Sequence, residues 1–218
     1  MALIDQFRQI VWDFNGTLID DLDAAFDIQQ QMLRLHGLAP LTKARYLDTF
    51  DFPIRDWYAF LGYDTEQYDQ LAQQWAALYQ QRAAHLGLCP GAQALLDLFA
   101  QRGIRQSVLS AANVQQLNML LRALGIDGYF DPVLGLDNSW AHGKIALCSA
   151  LRASSPIPPE QMLFIGDTTQ DVLTARALGS SCVLVACGHQ SRARLEQTGV
   201  PVYENHAALK AALLEKSG

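Results

Sequence analysis

Apolar and polar positions along this chain follow two different rhythms. Residues 8–13 (RQIVWD) form a short apolar run that stops at the turn-forming FNG, which predicts a buried strand. From Leu22 to about Leu88 the spacing is helical. Leu22, Phe26, Met32 and Leu33 share a face, with Leu35 one turn on and Gly37 as a stop. Tyr68, Leu71, Trp75, Leu78 and Tyr79 mark a second helix that ends at Gly87. Between them lies an aromatic-rich piece broken by Pro53. Beyond Cys89 the rhythm changes. PGAQALLDLFAQRG reads as a helix and RQSVLS as a strand, followed by the helix NVQQLNMLLRALG and the strand YFDPVLG, whose proline places it near an edge. The helix GKIALCSALRAS, the strand QMLFIGD, the helix TTQDVLTARALG and the strand SCVLVAC come next, and two helices flank a short PVY strand at the end. Strands alternating with helices predict βαβ units and a parallel sheet. The simplest architecture is an α/β layer whose first strand is separated from the others by a helical insertion.

Length and charge narrow the function. At about 150 residues per domain, 218 residues fit one domain with a sizeable insertion. Lys and Arg number 16 against 22 Asp and Glu, for a net charge of -6, so no basic excess exists to neutralise a nucleic acid backbone or an anionic membrane surface. No apolar run approaches a membrane span of about 20 residues, and the first residues lack a basic segment followed by a long apolar stretch. A cytoplasmic protein is expected. Cys89, Cys148, Cys182 and Cys187 form no C-x-x-C pair and have no histidine at zinc-ligand spacing, which predicts reduced, packed thiols. A strand and its exit loop need not bring Cys182 and Cys187 together.

Three predicted strands end in polar residues: Asp13 after IVW, Ser110 after SVL, Asp167 after LFIG. Ligands of open parallel sheets bind outside the carboxyl ends of the strands, so these three point at one crevice. Asp171, four residues beyond Asp167, falls on the same side of the following helix. Lys144 opens a helix after a glycine and can reach over the same edge. Three carboxylates gathered there repel one another, and a hard divalent cation resolves that repulsion; Mg²⁺ is the usual one where phosphate is also bound. Asp13 could then attack phosphorus to give an aspartyl-phosphate.

DFNGTLID resembles the first motif of the haloacid dehalogenase-like hydrolases, D-x-D-G-T followed by apolar residues. VLSAAN resembles their second motif, Lys144 in HGKIAL the third and FIGDTTQD the fourth, while CPGAQALLDLFAQRG and ARALG resemble the phosphoglycolate phosphatase-like branch. The resemblance implies a three-layer α/β/α Rossmann-like core, residues 1–18 and 87–218, with an all-helical cap at 19–86. It implies that Asp13 is the nucleophile and a Mg²⁺ ligand, that Asp167 and Asp171 are further ligands, and that the main-chain carbonyl of Asn15 completes the metal set. Ser110 with the neighbouring Ala111 would hold phosphoryl oxygens, Lys144 would steady the charge between phosphate and Asp13, and Thr17 would offer a hydroxyl nearby. The expected activity is hydrolysis of a small phosphorylated metabolite by a monomer or homodimer.

One position departs from the pattern. The family's phosphatases carry aspartate two residues after the nucleophile as acid and base, and here that residue is Asn15. An amide can orient water but cannot exchange a proton at neutral pH. General acid–base catalysis is typically worth about 10²–10⁴-fold. Three readings follow. His142, Asp20 or Asp21 replaces the shuttle; or the protein is a weakened, phosphate-ligand-binding or regulatory relative; or it performs other family chemistry, such as that of phosphonatases, for which Lys43 is the one cap lysine. The aromatic residues Phe50, Phe52, Trp57 and Tyr58 could line the substrate cavity, but core packing is the preferred reading for them.

Overall fold

The computed structural model describes residues 2–136 and 144–215. After strand β1 (Gln9–Trp12), four helices follow in succession: α1 (Leu22–Leu35), α2 (Lys43–Thr49), α3 (Ile54–Leu61) and α4 (Tyr68–Ala83). The remainder alternates: α5 (Ala92–Gln101), β2 (Arg105–Asn113), α6 (Val114–Ala123), β3 (Val133–Leu136), α7 (Cys148–Ser154), β4 (Met162–Gly166), α8 (Thr169–Leu178), β5 (Ser181–Val185), α9 (Arg192–Glu196), β6 (Val202–Tyr203) and α10 (His206–Leu214). Among the described residues the six strands form one parallel sheet in the order β3-β2-β1-β4-β5-β6. The chain's first strand therefore sits in the middle, between β2 and β4, and β3, which starts just after Pro132, takes an edge.

Side-chain alternation divides the core into two layers. Ile10, Trp12, Leu163 and Ile165 face α5, α6 and α10, whereas Val11, Met162 and Phe164 face α7 and α8. Both faces of β1 are fully buried, which is why its sequence reads as a continuous apolar run. The four inserted helices build a separate core from Ile28, Met32, Tyr46, Trp57, Tyr58, Leu71 and Tyr79. Trp57 and Tyr58 thus belong to the packing of the helical unit. The chain leaves and re-enters the sheet domain through two adjacent segments, bridged at Ile19 and Leu88 and by Cys89 N–H donating to Leu18 O at 2.8 Å.

Two local readings are corrected. The second strand does not stop at Ser110; it continues to Asn113, because its pairing with β3 shifts register between Leu109 and Asn113 and then resumes. Lys144 opens a 3₁₀ turn (Lys144–Leu147) that leads into α7, and not an α-helix directly.

Trp12, immediately before Asp13, is locked from several sides. Its ring packs edge-on to Phe99 at 5.9 Å and lies along His206 at 6.4 Å, and its indole N–H donates to Gln106 Oε1 at 3.0 Å. Gln106 Nε2 in turn donates to Leu96 O. Gln106→Leu would leave the buried indole N–H of Trp12 without an acceptor, costing about 1–3 kcal/mol. At this chain length the melting temperature is expected to fall by roughly 2–12 °C; an unchanged thermal unfolding curve would contradict the role given to this amide.

Candidate active site

Asp13 and Asp167 stand directly after the neighbouring strands β1 and β4, and Asp171 sits in the first turn of α8. One carboxylate oxygen from each lies within 4.8 Å of the others, and all three residues are buried. Lys144, itself buried, lies in their midst: its Nζ donates to Asp13 Oδ1 and, at 2.5 Å, to Asp171 Oδ1. The other oxygen of Asp171 accepts from Asp167 N, Thr168 N and Thr168 Oγ1, so this carboxylate also caps the helix that carries it. Thr17, fully buried, donates to Asp167 Oδ1 at 2.9 Å and lies 3.4 Å from Asp13 Oδ2, so its hydroxyl braces the two acids.

This packing needs main chain where a side chain would collide. Gly16 has φ +71°, and a Cβ there would fall 2.5 Å from Asp167 Oδ2. A Cβ on Gly188 would fall 2.1 Å from the same oxygen. The loop after β5 can therefore press its backbone onto Asp167, and His189 N–H donates to Asp167 Oδ2 at 2.6 Å.

The charges do not balance. Burial pushes Asp13 up to about 6; Lys144 pulls it back only in part, and Asp171 adds to the rise. Burial likewise raises Asp167 well above the usual carboxylate range, with His189 opposing and Asp13 and Asp171 reinforcing. Lys144 moves up despite its burial, because Asp13 and Asp171 outweigh desolvation. Three acids sharing one lysine still lack positive charge, and the donor set is hard oxygen. These residues fit a divalent cation.

Ser110, buried on β2, accepts from Ala112 N at 3.1 Å, and Ala111 adjoins it where the pairing with β3 shifts register. Asn15 does not stand free. Its amide donates to Asp21 Oδ2 at 2.6 Å and to Tyr79 Oη of the helical unit at 2.8 Å. Asp21 also accepts from Gly16 N, from Tyr79 Oη and from His189 Nε2 at 3.0 Å. His189 Nδ1 meets Tyr46 Oη at 3.1 Å, and the ring packs against Phe50 at 5.4 Å. Burial would lower the imidazole, but Asp21, Asp167 and Asp13 overcome it and hold His189 at about 9. Asp21 is lowered in spite of burial, chiefly by His189.

Of the shuttle candidates, Asp21 is in the site, Asp20 is exposed, and His142 lies outside the described residues. Lys43 is exposed and pairs with Asp23. Phe50 faces the site, and Phe52 packs edge-on behind it. Sequence reasoning missed His189, Tyr46 and Tyr79. The strand-end rule applied to SCVLVAC would have reached His189; nothing in the helical spacing singles out either tyrosine.

Further contacts hold the helical unit down. Ser191 N donates to Leu47 O, Gln190 Nε2 to Phe50 O at 2.8 Å, and Arg194 Nη1 to Phe50 O at 2.5 Å.

Residues 10–185 match the family model described as haloacid dehalogenase-like hydrolase. The chain is similar to a phosphoglycolate phosphatase of Rhodospirillum rubrum, 28% identical over 93% of this chain and 89% of that one. It is also similar to an N-acetylmuramic acid 6-phosphate phosphatase of Pseudomonas aeruginosa, 26% identical over 84% of each. Its fold is that of a haloacid dehalogenase-like family protein of Streptococcus pneumoniae, with a TM-score of 0.82 at 20% identity over 95% of this chain and 98% of the other. The chain belongs to the haloacid dehalogenase-like hydrolases, in their phosphoglycolate phosphatase-like branch.

Proposed function

We propose that this protein is a phosphatase that hydrolyses a small phosphorylated metabolite with Mg²⁺ and Asp13 as nucleophile. The observation that carries the reading is the convergence of Asp13, Asp167, Asp171 and Lys144 at one end of the central strands. Asp13, Asp167, Asp171 and the Asn15 carbonyl would hold the ion. Bound Mg²⁺ would supply the positive charge that the acids and an incoming phosphoryl group both need. Lys144, Ser110 and the main chain at Ala111 would hold phosphoryl oxygens, and Thr17 keeps Asp13 and Asp167 in register. Asp13 attacks phosphorus, the bond to the leaving oxygen breaks, and water later cleaves the aspartyl-phosphate. Residues 19–86 act as the cap and the rest as the catalytic core. The proton that Asn15 cannot exchange is assigned to the Asp21–His189 pair, whose imidazole is charged at neutral pH.

A second reading, a phosphate-ligand binder without turnover, draws on the saturation of Asn15 by Asp21 and Tyr79. Aryl, acyl and alkyl phosphates assayed with Mg²⁺ on wild type and Asn15→Asp separate the two. Wild-type turnover establishes the phosphatase, and Asp13→Asn is expected to lower it at least about 10³-fold. Turnover confined to Asn15→Asp would establish the binder.

His189→Asn is expected to reduce kcat for alkyl phosphates by about 10²–10⁴-fold and to affect aryl phosphates much less, since a good leaving group needs no proton. Equal losses on both substrates would remove His189 from the proton path.

Asp13 also gives the metal a pH signature. Its carboxyl is raised in the folded state, so the metal-free fold holds a proton that the unfolded chain releases. Through this group, stability falls as pH climbs from about 4 to about 6. Mg²⁺ is expected to raise the melting temperature at pH 7.5, with the increment shrinking as pH drops through about 6 and protons compete for Asp13. An increment independent of pH, or one retained in Asp13→Asn, would contradict the assigned ligand.

A further inference from the structure

We infer that this protein takes phosphate monoesters whose leaving group is largely apolar and carries no negative charge, and that the Phe50 ring belongs to the wall on which that group rests. The inference rests on the phosphatase reading and concerns only the part of the substrate beyond the ester oxygen. The phosphoryl end of the site is built from charged groups, and the side formed by the helical unit is built from rings. Phe50 packs 5.4 Å from His189, and Tyr46 lies 6.2 Å from the same imidazole. Phe50 and Tyr46 stack on each other at 5.3 Å, and Trp57 stands edge-on to both. Phe52 stands edge-on to Phe50. On the other flank Tyr79 reaches Asn15 and Asp21 with its hydroxyl, and Trp75 stacks on its ring at 4.8 Å. Tyr46, Trp57 and Tyr79 are buried, whereas Phe50, Phe52 and Trp75 keep part of their surface exposed.

A leaving group with a carboxylate would need a cation on this side, and among the described residues the cations are engaged or remote. Lys144 is taken up by Asp13 and Asp171, and His189 meets Asp21 at 3.0 Å. Arg194 donates to Phe50 O and pairs with Asp51 at 2.6 Å. In the helical unit, Lys43 pairs with Asp23, and Arg82 donates to Gln31 Oε1 at 3.1 Å. Arg45 lies over the Phe60 ring and Arg55 over that of Tyr68. Arg34 is in the last turn of α1, about 20 Å along the helix axis from Asp21.

Asp21 adds a negative charge to the same side, in a buried position. A second carboxylate brought beside it would leave water without gaining a cation of its own, which is unfavourable. A neutral group faces no such cost. Ring surfaces at Phe50 and its neighbours give a flat apolar group dispersion and edge or offset stacking contacts. Selection here thus works by refusing charge as much as by attracting carbon.

The test uses the whole protein with Mg²⁺ and two matched pairs. Benzyl phosphate and its 4-carboxy derivative are compared for turnover, and benzylphosphonate and its 4-carboxy derivative for binding by calorimetry. A phosphonate has carbon in place of the ester oxygen, so its affinity is read whether or not esters are cleaved. The neutral member of each pair is expected to have the higher kcat/KM and the tighter Kd, each by at least about 10-fold. Phe50→Lys keeps the main-chain carbonyl that Gln190 and Arg194 hold, and it is expected to narrow or reverse both differences. Equal or better handling of the carboxylates by wild type, or binding of neither phosphonate, overturns the proposal. Differences unchanged in a folded Phe50→Lys remove Phe50 from the wall. If that variant fails to fold, the wild-type comparison decides alone. Turnover that favours the carboxylate ester would sink this inference and leave the phosphatase reading standing. Tighter binding of the neutral phosphonate without turnover of any ester would do the opposite.

Discussion

Three carboxylates held out of water beside one ammonium group form the constraint around which the rest of this molecule is arranged. Bringing like charges together in a buried place is unfavourable unless each oxygen finds a donor. The fold provides those donors from every side. Thr17 comes from the turn after β1, Thr168 from the cap of α8, His189 N–H from the loop after β5 and Lys144 from the 3₁₀ turn before α7. Parallel topology makes this possible, because every strand delivers its carboxyl end to the same edge. The close approach of the loops then requires Gly16 and Gly188, where an added methyl group would occupy the position of Asp167.

A second ring of interactions links this charge cluster to the inserted helices. Asp21 sits at its centre and is shared by Asn15, Gly16 N–H, Tyr79 and His189. An aspartate at position 15 would face Asp21 across the 2.6 Å now bridged by an amide donor. The asparagine is therefore matched to its surroundings: an amide donor at 15 meets the carboxylate at 21, which a histidine also accompanies. That histidine touches the acids through its main chain and the helical unit through its ring, so one residue contacts both parts of the molecule.

Much of this was legible in the sequence, for definite reasons. The strand carrying Asp13 and the strand carrying Asp167 are short apolar runs that end abruptly, and such runs locate themselves in the middle of a parallel sheet. Asp171 could be placed because helical geometry fixes a four-residue offset. Lys144 was found by its motif, although the local element is a tighter turn than the apolar spacing suggested. What escaped were residues whose role arises from contacts across the chain. His189 lies four residues beyond the end of β5 and belongs to none of the four motifs. Tyr46 and Tyr79 look like any other aromatic on an amphipathic helix, and only docking turns their hydroxyls toward the core.

The docking of the helical unit has a consequence of its own. Along residues 47–50 the sheet domain grips carbonyl oxygens: Leu47 O receives Ser191 N, and Phe50 O receives both Gln190 and Arg194. Backbone acceptors are the same whichever side chains the segment carries. Substitutions in that stretch can thus change its side-chain surface while the clasp itself stays unchanged, which makes the character of that surface separable from the attachment of the helical unit.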